Sequence, residues 1–331
     1  MKHFKLYIAT ILSSLFLISC GGGGGKYYGT TSTSGTITLM CDNSFENIME
    51  QEISVFEYIY PKAHILARYI PQQDAIDSLM QGKSKAIVVA RDLTKQERDY
   101  LTQKRYVVKS HKIAVDALAL IVNPENTMDV ITKEELSDIL LGKVKNWNEL
   151  EPNKTGDIKV VFDDESSSTV KYMRDSLMNG QKFGDNVFAQ GSIQGVFDAV
   201  KQHKNAIGVI GVSWITSDMK QNISSEELTK QITDEAPSTV AQFDNSVKVL
   251  RVMNKSAVAC KPYQQNIYDG SYPLFRQIYM IITSQNGTLQ HGFYSFVTSR
   301  NGQKIILKTG IMPAVIQPQI VELVEPEQMQ Q

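Results

Sequence analysis

Residues 163–175, DDESSSTVKYMRD, set three acids directly ahead of four consecutive hydroxyl residues, Ser166 to Thr169. The residues after Thr169 have the composition of a helix. Hydroxyls and the unpaired N–H groups of a first helical turn suit an oxyanion, because that end of the helix dipole is positive. Carboxylates beside them are what an oxyanion avoids. The same residue types are also the commonest N-caps, so a ligand site and a plain helix cap are both open at this point. Two other strand-to-helix junctions have the same character, Ser44-Phe45 and Gln72-Gln73-Asp74. In open α/β sheets, ligands sit beyond the carboxyl ends of the strands, where such helix starts converge.

Other chemistries have less support. The chain lacks a G-x-S-x-G elbow, a P-loop, an H-E-x-x-H motif and a dinucleotide fingerprint. His64, His111, His203 and His291 are scattered and never reach metal-ligand spacing. Cys41 and Cys260 each sit in an apolar stretch, with neither a Cys-x-x-Cys nor a neighbouring histidine. They read either as a disulfide or as two buried thiols. The expectation is a binding protein rather than an enzyme, with no metal and no cofactor.

The elements that would position these residues alternate between strand and helix. GTITLMCD (35–42) reads as a strand and 43–61 as a helix stopped by Pro61, with Asn43 and Glu46 fitting a capping box that places Ser44 and Phe45 in the first turn. Strands are expected next at 63–70, 85–90, 113–124, 157–162 and 205–215, and again in VKVLRVM and LFRQIYMIIT. Helices are expected at 74–81, from Thr132-x-x-Glu135 to Gly142, after Ser166, in GVFDAVKQH, and from Tyr294 to Lys308; 216–245 is a polar stretch. This alternation means α/β, with a mostly parallel sheet in each lobe.

At 331 residues the chain is too long for one ordinary core, so two lobes are expected. With 42% hydrophobic and 21% charged residues it has a globular composition. A net charge of −1 argues against a general nucleic-acid binder. Lys2 and Lys5 precede an apolar run ending in Leu17-Ile18-Ser19-Cys20, which resembles the bacterial lipobox. It implies a signal peptide over 1–19, acylation at Cys20, and a Gly/Ser/Thr-rich tether over 20–35. Loss of the two lysines leaves 32 basic against 35 acidic residues. Beyond residue 20 no run approaches the roughly 18 apolar residues of a membrane span. The expected location is the periplasmic or cell-surface side of a membrane, held by a lipid anchor.

Several stretches together resemble the PstS-like phosphate-binding proteins, the solute receptors of phosphate ABC transporters. ITKEELSDILLGKVKNWNEL (131–150) carries the specific GK-x-x-NW-x-EL turn, and YPLFRQIYM (272–280) a specific PLFR segment. DALALIVNP (116–124), AIGVIGVSW (206–214) and GQKIILKTGIMPA (302–314) agree in order, so the similarity spans roughly 36–315. The resemblance implies a type II periplasmic-binding-protein fold: two α/β lobes, 36–115 plus 247–315 and 116–246, with a ligand cleft between them and a polar tail over 316–331. It implies a monomeric receptor that binds inorganic phosphate or a similar oxyanion and delivers it to ABC permease subunits. Another small acid as ligand, or a surface interaction protein without transport, are the alternatives.

Position by position, the resemblance implies ligand contacts from Ser44 and Phe45 and from Ser167, Ser168 and Thr169, where the family's middle Gly is Ser168. The family's Arg four residues before that Ser-Gly-Thr is Asp163. Its Gly/Ser-rich loop after the second strand is Pro71-Gln72-Gln73-Asp74, and its Asp or Ser after the third strand is Ala90, followed by Arg91 in an R-x-L-x-x-x-E pattern. With an Arg turned into an acid and an acid into alanine, two outcomes are open. Either Arg91 supplies the cation and Asp163 or Asp164 the proton acceptor, exchanging roles across the cleft, or the anion site is lost.

Overall fold

The computed structural model describes residues 29–216, 223–233 and 242–315; the expected signal peptide, Cys20 and the polar tail lie outside them. The chain opens with strand β1 (Ser34–Asp42), helix α1 (Glu46–Ile59), β2 (Lys62–Ile70), α2 (Gln72–Met80), β3 (Ala86–Val89), α3 (Lys95–Gln103) and the long β4 (Lys109–Val122). Next come β5 (Val130–Thr132), α4 (Lys133–Leu140), β6 (Lys159–Phe162), α5 (Ser168–Leu177), β7 (Val187–Ala189), α6 (Ile193–Gln202) and β8 (Ala206–Gly211). The last part holds α7 (Ser225–Thr233), β9 (Lys248–Val249), β10 (Arg251–Met253), β11 (Ala259–Cys260), α8 (Gln264–Tyr268), β12 (Phe275–Ile282), α9 (Leu289–Val297), α10 (Arg300–Lys308) and β13 (Met312–Pro313).

The main sheet runs β2-β1-β3-β12-β4-β8-β6-β7, with β13 and β9 also on β4, and β11-β10-β5 form a small second sheet. β1, β2 and β3 are parallel, as are β6, β7 and β8, whereas β12 and β4 run antiparallel to their neighbours. β4 ties the two parallel groups together. Residues 109–117 pair with β12 and 118–122 with β8. From Ile113 to Val122 every residue is buried, which explains the unbroken apolar run with its one acid, Asp116.

Local sequence explains most element ends. The capping box of Thr132 and Glu135 is formed, and α4 stops before Gly142 at φ +69°. At α1 the expected box of Asn43 and Glu46 is replaced by another cap. Asp42 accepts the Ser44 N–H at 2.9 Å, residues 43–45 make a 3₁₀ turn, and the α-helix starts at Glu46. The C-terminal helical region is two helices, split where Ser299 caps α10.

Backbone pairing lies close to two of the expected boundaries. Residues 30–35 are fastened rather than free: Thr31 bridges Ser34, and Leu289 N–H donates to Thr30 Oγ1 at 3.3 Å. Gly292 lies so close to Ser32 that a Cβ there would meet its carbonyl oxygen at 1.8 Å. The boundary expected at residue 247 does not coincide with a change of strand partner, since β9 pairs with the second half of β4 and β10 with β5. Helix α7 already packs against α1 and α10, with Lys308 Nζ donating to Gln231 Oε1 at 2.9 Å, and at α8 Gln264 donates to the Leu307 and Ile311 carbonyls. Cys41 and Cys260 are free thiols, Cys41 being fully buried.

Candidate ligand-binding site

Strand alternation on β12 places Arg276, Ile278 and Met280 on one face, and that face is buried. Arg276 is 4% exposed. Its direct cross-strand partner on β4 is Asp116. Arg276 Nε donates to Asp116 Oδ2 at 3.1 Å, and Nη2 lies 3.0 Å from the same oxygen at an angle that makes no hydrogen bond. The pair is accommodated because residue 211 is Gly; a Cβ there would stand 3.0 Å from that carboxylate oxygen. Burial pushes the Asp116 carboxyl up from its usual range, and the Arg276 charge pulls it partly back.

From this pair Arg276 reaches the start of α5, where the run of hydroxyl residues lies. Nη1 donates to Ser168 Oγ at 2.7 Å and to Thr169 Oγ1 at 3.3 Å. The Ser44 hydroxyl, in the 3₁₀ turn that follows β1, lies 3.2 Å from Ser168 Oγ. The Phe45 ring, fully buried, stacks 4.8 Å from the guanidinium carbon as a cation–π partner. Trp214 Nε1, in the turn after β8, donates to the Ser44 carbonyl at 3.0 Å. The carboxyl ends of β1, β6 and β8 thus converge on one guanidinium.

This arrangement sets the polarity of the hydroxyls. A guanidinium can only donate, so Ser168 and Thr169 accept from it with their oxygens and turn their O–H protons elsewhere. As the first two residues of α5 their N–H groups have no acceptor within the helix. The cluster is therefore rich in donors around a cation, which is what a tetrahedral oxyanion needs.

Ser167 has a different task. It is the N-cap of α5, accepting the Val170 N–H at 3.2 Å while donating to Asp163 Oδ1 at 2.7 Å. Asp163 is 4% exposed, and burial raises its pKa above the ordinary carboxylate value. Asp164, more exposed, is held below that value by the Ser166 hydroxyl and N–H. Asp42 is fully buried, with Oδ2 lacking a hydrogen-bond partner. Beside the cluster opens a cavity of about 320 Å³, lined by Asn43, Glu46, Asp163, Asp164, Gln194 and Trp214 among others.

Ser44, Phe45, Ser168 and Thr169 thus meet as expected residues around an unexpected cation, with Ser167 and Asp163 adjoining. Arg91 does not join them. Its guanidinium is clamped by Glu97 through two 2.8 Å bonds, and its remaining hydrogen bond goes to the Asp92 carbonyl. The expected exchange of roles therefore fails on the Arg91 side, because that charge is already committed to the capping box of α3. Gln72 and Ala90 are tied to each other, with Ala90 N–H donating to Gln72 Oε1 at 2.7 Å. Arg276 and Asp116 are not among the site residues expected from the sequence. The available signal was an acid alone in a ten-residue apolar strand, which demands a buried counter-charge.

The fold belongs to a known class. The chain belongs to the family described as the PBP superfamily domain, whose model matches residues 27–301. Among curated proteins it is similar to the phosphate-binding protein PstS of Pseudomonas aeruginosa, 24% identical over 307 residues covering 87% of this chain and 86% of that one. The PstS of Staphylococcus saprophyticus is 23% identical over 304 residues, covering 90% and 85%. Among solved structures, a substrate-binding protein from Clostridium perfringens with bound phosphate shares the fold at a TM-score of 0.67 and 23% identity, covering 85% of this chain and all of that one. An ABC-type phosphate transport receptor from Vibrio cholerae matches at a TM-score of 0.60 and 20% identity, covering 84% and 99%. The fold is mixed α/β of the periplasmic-binding-protein type.

Proposed function

We propose that the protein is an extracytoplasmic receptor that captures an oxyanion, inorganic phosphate before any other, for an ABC importer. The observation that carries this reading is the buried Arg276 guanidinium donating to the Ser168 and Thr169 hydroxyls beside Ser44. The phosphate-binding names of its relatives support the same ligand class. The anion inserts between Ser44 and α5, taking donors from Arg276, both hydroxyl groups and the first-turn N–H groups. Asp163 accepts the proton of a protonated phosphate. The two groups of parallel strands act as lobes that open and close about the region of β4 and β12. Acylation at Cys20 holds the monomeric receptor at the membrane, next to the permease subunits.

Calorimetric titration of the mature protein with phosphate and sulfate tests this. Ser168→Ala and Thr169→Val each weaken phosphate binding by about ten- to a hundredfold, the loss of one hydrogen bond to a charged group. Asp163→Asn weakens phosphate more than sulfate, which has no proton to give. If neither anion binds the wild-type protein, the oxyanion assignment fails. For the anchor, Cys20→Ser releases the protein from the membrane fraction; a wild type already in the soluble fraction refutes acylation.

A further inference from the structure

The cavity beside the hydroxyl cluster has walls that a bare oxyanion leaves unused. Glu46, Asp163 and Asp164 line it with carboxylates. Gln194 gives one side-chain N–H to Asp198 at 2.8 Å and Trp214 gives its indole N–H to the Ser44 carbonyl, leaving an amide oxygen, a second amide N–H and a π-face. Neither Lys nor Arg is among the lining residues. At about 320 Å³ the space falls within the range of small-molecule sites. It far exceeds the roughly 10–15 Å³ that seats one water.

Charge balance at the joint site points the same way. Asp116 is the ion-pair partner of the Arg276 guanidinium, and the buried Asp163 carboxylate feels the opposing charges of Arg276 and of buried Asp42. Asp163, buried and lining the cavity, has no ion-pair partner among the described residues, and Asp42 Oδ2 has no hydrogen-bond partner. An uncompensated buried acid is costly, and a dianion added beside it raises that cost. A cation arriving with the ligand removes the conflict. Among the described residues no three acids, histidines or cysteines converge as metal ligands would. An ammonium fits better, because it has only donors to give and settles on an indole face.

We propose that the natural solute is a zwitterion. Its phosphate or phosphonate head sits on Arg276, Ser44, Ser168 and Thr169, and its ammonium group sits in the cavity against Glu46, Asp163, Asp164 and Trp214. This rests on the oxyanion reading above and adds the cationic end to it.

The test is calorimetric titration of the mature protein with inorganic phosphate, ethyl phosphate and phosphoethanolamine at neutral pH. The two esters share a head and a two-carbon chain and differ in the ammonium. Phosphoethanolamine is expected to bind at least tenfold more tightly than ethyl phosphate. Glu46→Gln and Asp164→Asn, each checked for an unchanged thermal unfolding profile, should lower that ratio at least threefold. A wild-type ratio within twofold of one overturns the proposal, as does binding of inorganic phosphate with exclusion of both esters; in either case the oxyanion reading stands. A high wild-type ratio unmoved by both substitutions overturns the placement of the ammonium. If none of the three compounds binds, the oxyanion reading fails and takes this proposal with it.

Discussion

Replacing Arg276 by Met keeps most of the side chain's length and removes its charge. Asp116 is then a carboxylate 1% exposed with its ion-pair partner gone. Two unit charges about 4 Å apart at an effective dielectric of about 20 attract by about 4 kcal/mol. Measured costs of orphaning one member of a buried pair, about 3–5 kcal/mol, are of the same size. Urea denaturation of Arg276→Met should therefore show a loss of about 3–5 kcal/mol at neutral pH. The double variant Arg276→Met, Asp116→Asn should recover most of it, since the stranded charge is gone. Acid should help as well. The Asp116 pKa is already raised in the native state, with the Arg276 charge opposing the rise. A group with a raised folded pKa contributes stability at low pH that is lost as pH rises through that pKa. Without Arg276 the pKa climbs further, so the deficit of the single variant is largest at neutral and alkaline pH and shrinks toward the ordinary carboxylate range. Oxyanion affinity, by contrast, stays lost in both variants, by at least the roughly tenfold to hundredfold of one charge-assisted bond. A single variant as stable as wild type, or a double variant that recovers nothing, refutes the account of a buried pair held for ligand binding.

Three other substitutions test separate features. Glu52 in α1 is fully buried with no partner for either carboxylate oxygen, and burial lifts its pKa well above normal. Its stability contribution is lost as pH rises, so Glu52→Gln should be more stable than wild type at about pH 8, by about 1–3 kcal/mol, and close to it at about pH 4; equal stability at both pH values would refute the neutral acid. Arg91→Ala should destabilise by about 1–2 kcal/mol after solvent screening without changing phosphate affinity. Arg91 holds the Glu97 carboxyl down at about 2, so the wild-type advantage is present above pH 4.5 and fades as pH falls toward 2; an altered affinity in titration would return Arg91 to the site. Gly292→Ala places a methyl against the Ser32 carbonyl, and should cost about 1–3 kcal/mol as overpacking does and raise amide exchange over residues 30–35; unchanged exchange there would mean the segment does not depend on this contact.

Much of the fold could be read because local and tertiary preferences agree. Thr132 and Glu135 announce a helix start that needs no distant partner, and Gly142 announces its end. The hydroxyls of Ser44, Ser168 and Thr169 were legible because first turns carry function in sheets of this kind. Asn43 misled because Asp42, one residue earlier, competes for the same cap and wins while still at the end of β1. Arg91 misled because an Arg after a strand looks like a cleft residue, whereas Glu97 lies within reach on the first turn of the next helix. Arg276 was hidden for the opposite reason. In a strand of alternating character an Arg reads as the solvent face, and its burial depends on Asp116, 160 residues away. Pairing between distant strands is what local pattern does not contain.

The order of the strands along the chain also dictates when the molecule can become whole. β4 is complete by residue 122, and its apolar edges are then bare; β8 arrives at 206–211 and β12 at 275–282. Until those segments exist, ten consecutive buried-type residues, Ile113 to Val122, have no lasting cover. An unpaired apolar strand is a template for aggregation, and contacts this far apart in sequence form slowly. A growing chain of this design therefore cannot lock into its final shape early. The Arg276–Asp116 pair that joins β12 to β4 forms only once β12 has emerged.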